Sequence, residues 1–348
     1  MPVKTELSIV IPTLNEEHAL PGTLSSLASQ RACALEIIVS DGGSLDATGR
    51  VIAESALPAS FITGKPGRAC QLNAGAAVAR GEFILFIHAD SLFVDEYALR
   101  GAIDYLRTAA ATGGGKHFAG HFGVRFRRSS TGRSLAYRYY ESKARLNRRE
   151  CAHGDQGILL PTGFFRKSGG FDTSCELLAE TRFADQLRTQ GAWLLLPQEI
   201  ATSARRFEKE GLKERQTLNA VIMALAAADR YDLIQRLPEL YPEQQKSAQL
   251  DLQPLFRLIA ESLSVLPREK QADFWERIGG YVCENAWQLA FFVDVATGFL
   301  TKKDHVPGRN RFLEMYDRFF SGVVSTKGSG RIAAAASRAW LRQMLRKS

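Results

Sequence analysis

Four short apolar runs punctuate the first quarter of the chain: Leu7–Ile11 (LSIVI), Leu35–Ser40 (LEIIVS), Ser60–Thr63 and Glu82–Ile87 (EFILFI). Nearly unbroken runs of this length read as strands buried on both faces, the signature of a mainly parallel sheet under helices. Between them the apolar positions recur every three or four residues. That periodicity predicts helices over Glu16–Ser29, Asp46–Ala56 and Arg68–Ala79, with Asn15 placed to cap the first by accepting from its free N–H groups. After Gly113-Gly114-Gly115 the pattern is mixed. His117–Phe126 alternates weakly, Ser134–Arg149 reads as a basic helix, Gly157–Leu160 and Ala192–Leu196 as strands, and Glu176–Gln190 as a helix. From Leu212 onward helices dominate: Gln216–Arg236, Leu252–Leu266, Glu269–Val295, Asn310–Phe320 and Arg331–Arg346. An α/β domain over 1–210 and a helical extension over 211–348 are therefore expected.

Composition narrows the class. With 348 residues, 45% hydrophobic and 24% charged, the chain reads as an ordinary globular protein, and collagen-like, coiled-coil and wholly disordered readings fall away. The five cysteines form no CxxC pair, which argues against a structural zinc site and fits a reducing compartment. The uncharged stretch Gln216–Ala228 spans 13 residues, and the apolar run around Trp287 is cut by Asp294. Neither reaches the ~20 residues a bilayer span needs. The apolar part of MPVKTELSIVIP is too short for a secretory signal. The net charge of +8 is uneven: Lys302–Ser348 holds 11 Lys and Arg against 3 acids, and the rest of the chain balances. Such a tail can meet nucleic acid, anionic lipid or water. Arg125–Arg149 adds nine basic residues interleaved with Tyr137, Tyr139 and Tyr140, without any RRM, helix-turn-helix or zinc-finger pattern.

In a parallel sheet ligands gather at the carboxyl ends of the strands. Three polar segments fall there: Pro12–Glu16, Asp41–Ser44 and His88–Asp90. No GxGxxG follows the first strand and no GxxxxGK[ST] occurs, which disfavours dinucleotide and P-loop readings. Asp41 is either a turn former or an acceptor for a base or ribose. Asp90 is either a cap or, with His88, a holder of a divalent ion.

An ordered set of segments, SIVIPTLNE (8–16), VSDGGSLD (39–46), GRACQLNAGAAVARGEFILFIHAD (67–90), GDQGILLP (154–161), GGFDTSCELLAETRFADQLRTQG (169–191) and SARRFEKEG (203–211), resembles the inverting glycosyltransferase family 2, which has the GT-A nucleotide-sugar fold. The HAD, GDQG and SARRF elements resemble one bacterial subgroup of it. The resemblance implies that Pro12 and Glu16 lie along the nucleotide, that Asp41 binds the base, and that Arg68 approaches the base or diphosphate. Asp90 would be the carboxylate for Mg²⁺ or Mn²⁺; His88 replaces the first acid of an Asp-x-Asp motif and either touches the donor or packs beneath it. Glu180 aligns with the catalytic base, although the acid that usually precedes it is Ala179 here. Asp155 and Gln156 match an acceptor-side segment or cap the following helix, and Arg205, with Arg206, matches a segment near the diphosphate.

The implied activity is metal-dependent inverting transfer from a nucleotide-diphosphate sugar, UDP favoured over GDP, to a hydroxyl acceptor, anionic or lipid-linked. Two alternatives stay open. One is a non-catalytic sugar-nucleotide-binding or assembly protein, which Ala179 and His88 keep alive. The other is a nucleotidyltransferase, although PTLNEEH lacks its phosphate loop. Nucleic acid is not expected as a partner, and a homo-oligomer through the extension is. A cytoplasmic location is expected, with peripheral attachment at the inner face of the membrane as a variant of it. In Arg331–Arg346 the basic residues 331, 338, 342 and 346 fall on one side of a helix, with Ile332, Trp340, Leu341, Met344 and Leu345 largely on another. That helix can pack on the catalytic domain or a second subunit, lie in a membrane surface, or stay disordered.

Overall fold

A computed structural model describes residues 5–114, 117–152, 154–174, 176–240, 249–301 and 310–346. The chain divides into two compact units, one made of residues 1–127 and 140–203, the other of 128–139 and 204–348. The first unit is built on seven strands: β1 (Leu7–Thr13), β2 (Leu35–Asp41), β3 (Ala59–Thr63), β4 (Phe83–Phe86), β5 (Phe118–Arg127), β6 (Ile158–Pro161) and β7 (Ala192–Ser203). Their order is β3-β2-β1-β4-β6-β5-β7. β1 pairs in parallel with β2 and β4, and β2 with β3; β6 runs antiparallel to β4 and β5, while β5 and β7 are parallel. The helices of this part are α1 (Leu20–Ala28), α2 (Thr48–Ala53), α3 (Arg68–Val78), α4 (Ala98–Thr112), α5 (Leu135–Lys143), α6 (Thr162–Ser168) and α7 (Ala179–Gln190). The residues of α5 divide between the units.

Two apolar layers flank the sheet. Leu7, Ile9 and Ile11 of β1 belong to one, with buried residues of α1 and α4. Val10, between them, belongs to the other, with Ala69, Leu72 and Ala76 of α3 and Phe183 of α7. A strand with neighbours on both faces has no polar side to show, which is why LSIVI carries no alternation. This is the mainly parallel α/β sheet that the sequence predicts, with helices on both faces, followed by a helical extension.

Local differences have physical causes. Asn15 does not cap α1, which starts at Leu20 after Ala19 without a side-chain cap. Its backbone is left-handed (φ 56°), and its Oδ1 accepts from the Leu45 N–H instead. Helix α4 was not expected, although Ala98, Leu99, Ala102, Ile103 and Leu106 form its buried stripe. β7 runs to Ser203 because it pairs with β5 along the whole of that strand, across an irregularity between His121 and Gly123.

The second unit comprises α8 (Arg205–Glu210), α9 (Leu212–Ala227), α10 (Tyr231–Gln235), α11 (Leu237–Leu240), α12 (Gln253–Ser264), α13 (Arg268–Glu284), α14 (Trp287–Leu300), α15 (Arg311–Met315), a π-turn over Tyr316–Phe320, α16 (Ser321–Val324) and α17 (Lys327–Leu345). Two long expected helices are each broken. Asp229, with φ 58°, separates α9 from α10, and a break at Asn285-Ala286 separates α13 from α14. Asp294, the charge that interrupts the apolar run of α14, points inward, where its carboxylate accepts from the N–H groups of Phe312 (3.1 Å) and Leu313 (2.9 Å) in the first turn of α15. No helix among the described residues is long and apolar enough to cross a membrane.

The seating of α3 on β1 depends on Gly75, where a methyl group would collide with the Val10 side chain. Gly75→Ala is expected to destabilise the fold by about 1–3 kcal/mol through overpacking, less the ~1 kcal/mol that Ala gains in a helix. Gly163→Ala, which would meet nothing within 4 Å, should be neutral to slightly stabilising. Urea midpoints of both variants check this, and equal midpoints would refute the close-contact reading.

Candidate active site

The carboxyl ends of β1, β2 and β4 lie along one edge of the sheet, and the segments after them carry the polar residues. After β2, Asp41 is almost fully buried (3% exposed) and accepts four hydrogen bonds: from Thr13 Oγ1 (2.9 Å), Ser44 Oγ (2.5 Å) and the N–H groups of Gly43 (2.9 Å) and Ser44 (2.7 Å). Burial pushes its carboxyl up, but these donors outweigh burial and hold it below the usual range. Its four acceptor sites are thus used in shaping the loop. Beside it lies a hollow of about 550 Å³ lined by Asp41, Ser44, Asp46, Arg50, Phe61 and Thr63. Pro12 is half-buried within β1, opposite Ser40, and the Glu16 N–H donates to Thr48 Oγ1 (2.9 Å), which ties the two loops together.

Helix α3 joins this edge to the next. Gln71 Nε2 donates to the carbonyls of Thr13 (2.7 Å) and Ser40 (2.8 Å), bracing the ends of β1 and β2. Asn73 exchanges two hydrogen bonds with the backbone of Phe171 (2.8 and 2.9 Å). Gly170, at φ 77°, is needed there, since a Cβ would stand 2.7 Å from Asn73 Oδ1. The segment so anchored leads into α7, where Glu180 occupies the first turn, a position the helix dipole favours for a carboxylate.

Glu180 is where the elements meet. Its side chain is buried, and its Oε1 lies 3.2 Å from His88 Nε2, after β4, and 3.3 Å from Arg68 Nη1, at the start of α3. Gly154 lets the chain pass, because a Cβ there would stand 2.8 Å from the Glu180 carboxylate. Asp155 is half-buried next to it. Burial raises its carboxyl above the ordinary range; the nearby His88 opposes this, and the charges of Asp90 and Glu180 reinforce it. Asp90 accepts one long hydrogen bond, from Thr202 Oγ1 (3.4 Å), and its carbonyl accepts from Arg127 (3.1 Å). Among the described residues no three His, Cys, Asp or Glu side chains converge as a metal cage.

A buried carboxylate with two basic partners at the carboxyl edge of a parallel sheet marks a site for a polar, anionic ligand. Residues 8–161 match the model of the family described as Glycosyl transferase family 2. At the level of that superfamily, the sheet unit is glycosyltransferase-like. An uncharacterized glycosyltransferase of Haemophilus influenzae is 32% identical over 94 residues, 26% of this chain and 31% of the relative. The dolichyl-phosphate beta-glucosyltransferase ALG5A of Trichomonas vaginalis is 33% identical over 102 residues, 26% of this chain and 32% of the relative. The matches span about a third of the length of these curated relatives. A mannosyltransferase from Pyrobaculum calidifontis, solved with GDP-Man and Mn²⁺, is similar at 16% identity and a TM-score of 0.49 over 97% of this chain and 88% of that one. TarS of S. aureus, residues 1–349 with UDP-GlcNAc, gives 16% and 0.49 over 87% and 93%.

In the glycosyltransferase-like unit, then, Arg68, His88, Asp90, Asp155 and Glu180 come together, while Asp41 and Pro12 stand at the neighbouring strand ends. Gln156 is buried, and its Nε2 donates to the Ala144 carbonyl (3.0 Å). Asp155 caps no helix: β6 follows it, and α6 begins after Pro161 without a side-chain cap. Glu180 is not the exposed first-turn acid of the simplest reading. Arg205 starts α8 in the second unit. Sequence reasoning passed over Gln71, Asn73 and Phe61. The first two stand inside GRACQLNAG, and two amides on an otherwise small-residue helix were the available signal.

Burial pushes the Glu180 carboxyl up, but Arg68 and His88 outweigh it and bring it down from 4.5 to about 2. A carboxyl depressed in the folded state contributes stability that is complete above its unfolded value and is lost as pH falls through the folded one. Between pH 4.5 and about 2 the wild-type chain should therefore lose stability more steeply than Glu180→Gln. Urea midpoints across that window check the sign, and parallel curves would refute it.

Proposed function

We propose that this chain transfers a sugar, with inversion, from a nucleotide-diphosphate sugar to a hydroxyl acceptor, a UDP-sugar being favoured, and that Glu180 is the base. The observation that carries the reading is the Glu180 carboxylate, buried between Arg68 and His88 at the strand edge. In the reaction the acceptor oxygen attacks the anomeric carbon as its proton passes to Glu180. The bond from that carbon to the diphosphate oxygen breaks, and the nucleoside diphosphate leaves with the electron pair.

A carboxyl held at about 2 is ionised at neutral pH, as a base must be, but it has little affinity for a proton. Arg68 resolves this. Its side chain is 45% exposed and can turn to a diphosphate oxygen, which would withdraw one positive partner from Glu180 and raise its basicity when the donor is bound. His88 stays as the group that fixes the carboxylate. The hollow beside Asp41 offers the Phe61 ring for a base, with Arg50 and Thr63 as polar neighbours. The loop that Asp41 shapes holds that hollow in form.

Asp90, with acceptor capacity left over, fits a divalent cation, and Asp155, whose carboxyl is raised by burial and then by the charges of Asp90 and Glu180, stands in a field that a cation would relieve. Mg²⁺ or Mn²⁺ would be held by Asp90 together with the donor's own oxygens, and would supply charge neutralisation on the leaving group. The dolichyl-phosphate acceptor in the name of the Trichomonas vaginalis relative supports a lipid-linked acceptor for this chain.

Glu180→Gln should lower transfer by about 10²-fold or more with nucleotide binding nearly unchanged. Asp90→Ala should remove the metal-dependent part of nucleotide affinity. A panel of UDP- and GDP-sugars, with and without Mn²⁺, followed by calorimetry on the variants, tests both. Nucleotide binding without turnover of any donor, in transfer or hydrolysis, would favour a non-catalytic binding protein. Near-normal transfer by Glu180→Gln would move the base to Asp155.

A further inference from the structure

The helical unit carries a feature that sugar transfer does not use. Most arginines of the sheet unit are spoken for: Arg80 pairs with Glu36, Arg100 with Glu6 and Asp104, Arg107 with Glu6 and Glu82, and Arg145 with Glu199. Helix α17 is different. From Lys327 to Arg346 it holds five basic residues and no acid. Among the described residues, Arg331, Arg342 and Arg346 are exposed and pair with no carboxylate, and Arg338 lies over the Trp275 ring (5.3 Å).

Their arrangement follows from how α17 packs. A methyl at Gly279 of α13 would collide with the Gly330 carbonyl, so the two helices approach backbone to backbone. Leu341 is buried, Trp340 stands edge-on to Phe256 of α12, and Gln253 donates to the Met344 carbonyl (2.9 Å). The apolar stripe expected of this helix is thus spent largely inside its own unit. What remains outside is an arginine row about 22 Å long, at 1.5 Å per residue over positions 331–346, beside the exposed Ile332.

We propose that the outer face of α17 binds the surface of an anionic lipid membrane. Unpaired arginines in a row meet a plane of phosphates at the least cost, since no internal ion pair has to be broken. Ile332, 74% exposed beside the row, would be rewarded at a lipid interface and gains nothing from a nucleic-acid backbone. A second copy of the chain is a poor occupant, because a two-fold contact through this face would set arginine against arginine. The inference stands apart from the proposed reaction and does not need it.

The test is co-sedimentation of the full chain with vesicles of phosphatidylcholine containing graded phosphatidylglycerol, at low and high salt. Binding should rise with phosphatidylglycerol and fall with salt. Arg331→Glu/Arg342→Glu, both sites exposed, should lose at least about tenfold in partitioning without a change in thermal midpoint. Arg331→Gln/Arg342→Gln gives a milder check on folding and should lie between. Leu289→Glu/Leu300→Glu, on the exposed apolar face of α14, should bind as wild type. Three results would overturn the proposal: no pelleting at any anionic content, loss of binding in the α14 variant but not the α17 variants, or release of the chain from vesicles by stoichiometric single-stranded RNA.

Discussion

Everything at the candidate site depends on how closely one small helix lies on one strand. Helix α3 can reach β1 because position 75 has no side chain to meet Val10, and because Ala69 and Ala76 fill the layer beside it with little bulk. That closeness lets a single turn of α3 reach in two directions. Gln71 clamps the ends of β1 and β2, and Asn73 clamps the backbone of Phe171 ahead of α7. Arg68, at the start of the same helix, is thereby set within reach of Glu180, with its side chain still 45% exposed. A wider helix seat would leave two halves of a site, the ends of β1 and β2 and a carboxylate, with no fixed distance between them.

The buried carboxylate shows what this rigidity costs and supplies. Burial alone would push Glu180 toward neutrality and make it a stronger base. Two basic neighbours reverse that, leaving a carboxylate that is charged at neutral pH and paired with Arg68 and His88. Its reactivity therefore depends on what draws its partners away. An anionic donor does this by its charge, so that under the proposed reading the order of binding is built into the ion pair. Asp41 takes another course. With hydrogen bonds from Thr13, Gly43 and Ser44 on its carboxylate, it holds the shape of the loop after β2.

Much of this was legible before any coordinates. Runs such as LSIVI and EFILFI announced a sheet covered on both faces, and ordered motifs brought Arg68, His88, Asp90, Asp155 and Glu180 forward as one set. What stayed hidden was long-range. The length of β7 is set by pairing with β5, and no local pattern beyond Leu196 announces a partner ten residues long. Asn15 had the chemistry of a cap, yet a left-handed turn gave its oxygen to Leu45 across the site. Glu269–Val295 read as one helix, since neither Asn285 nor Ala286 forbids continuation; the break is a matter of packing on each side. The clamps of Gln71 and Asn73 were invisible for the same reason, because an amide in a helix shows its partners only when the fold is complete.

The two units also spend their charge differently, and this difference separates structural from unassigned charge. In the sheet unit Glu6 gathers Arg100 and Arg107, and Glu199 gathers Arg125 and Arg145, so each carboxylate holds elements of the fold together. Most of these side chains are partly buried, and the use of such pairs is to fix geometry more than to stabilise it. Along α17, Arg338 covers the Trp275 ring, while Arg331, Arg342 and Arg346 pair with no carboxylate among the described residues. Their own repulsion, spaced by one and two helical turns, costs a little stability and returns none. The Ala-rich body of α17 and its close seat on α13 through Gly279 carry that cost. A row of charge set against its own repulsion, of which only Arg338 packs on a neighbouring helix, is what a counter-charge outside the molecule would compensate.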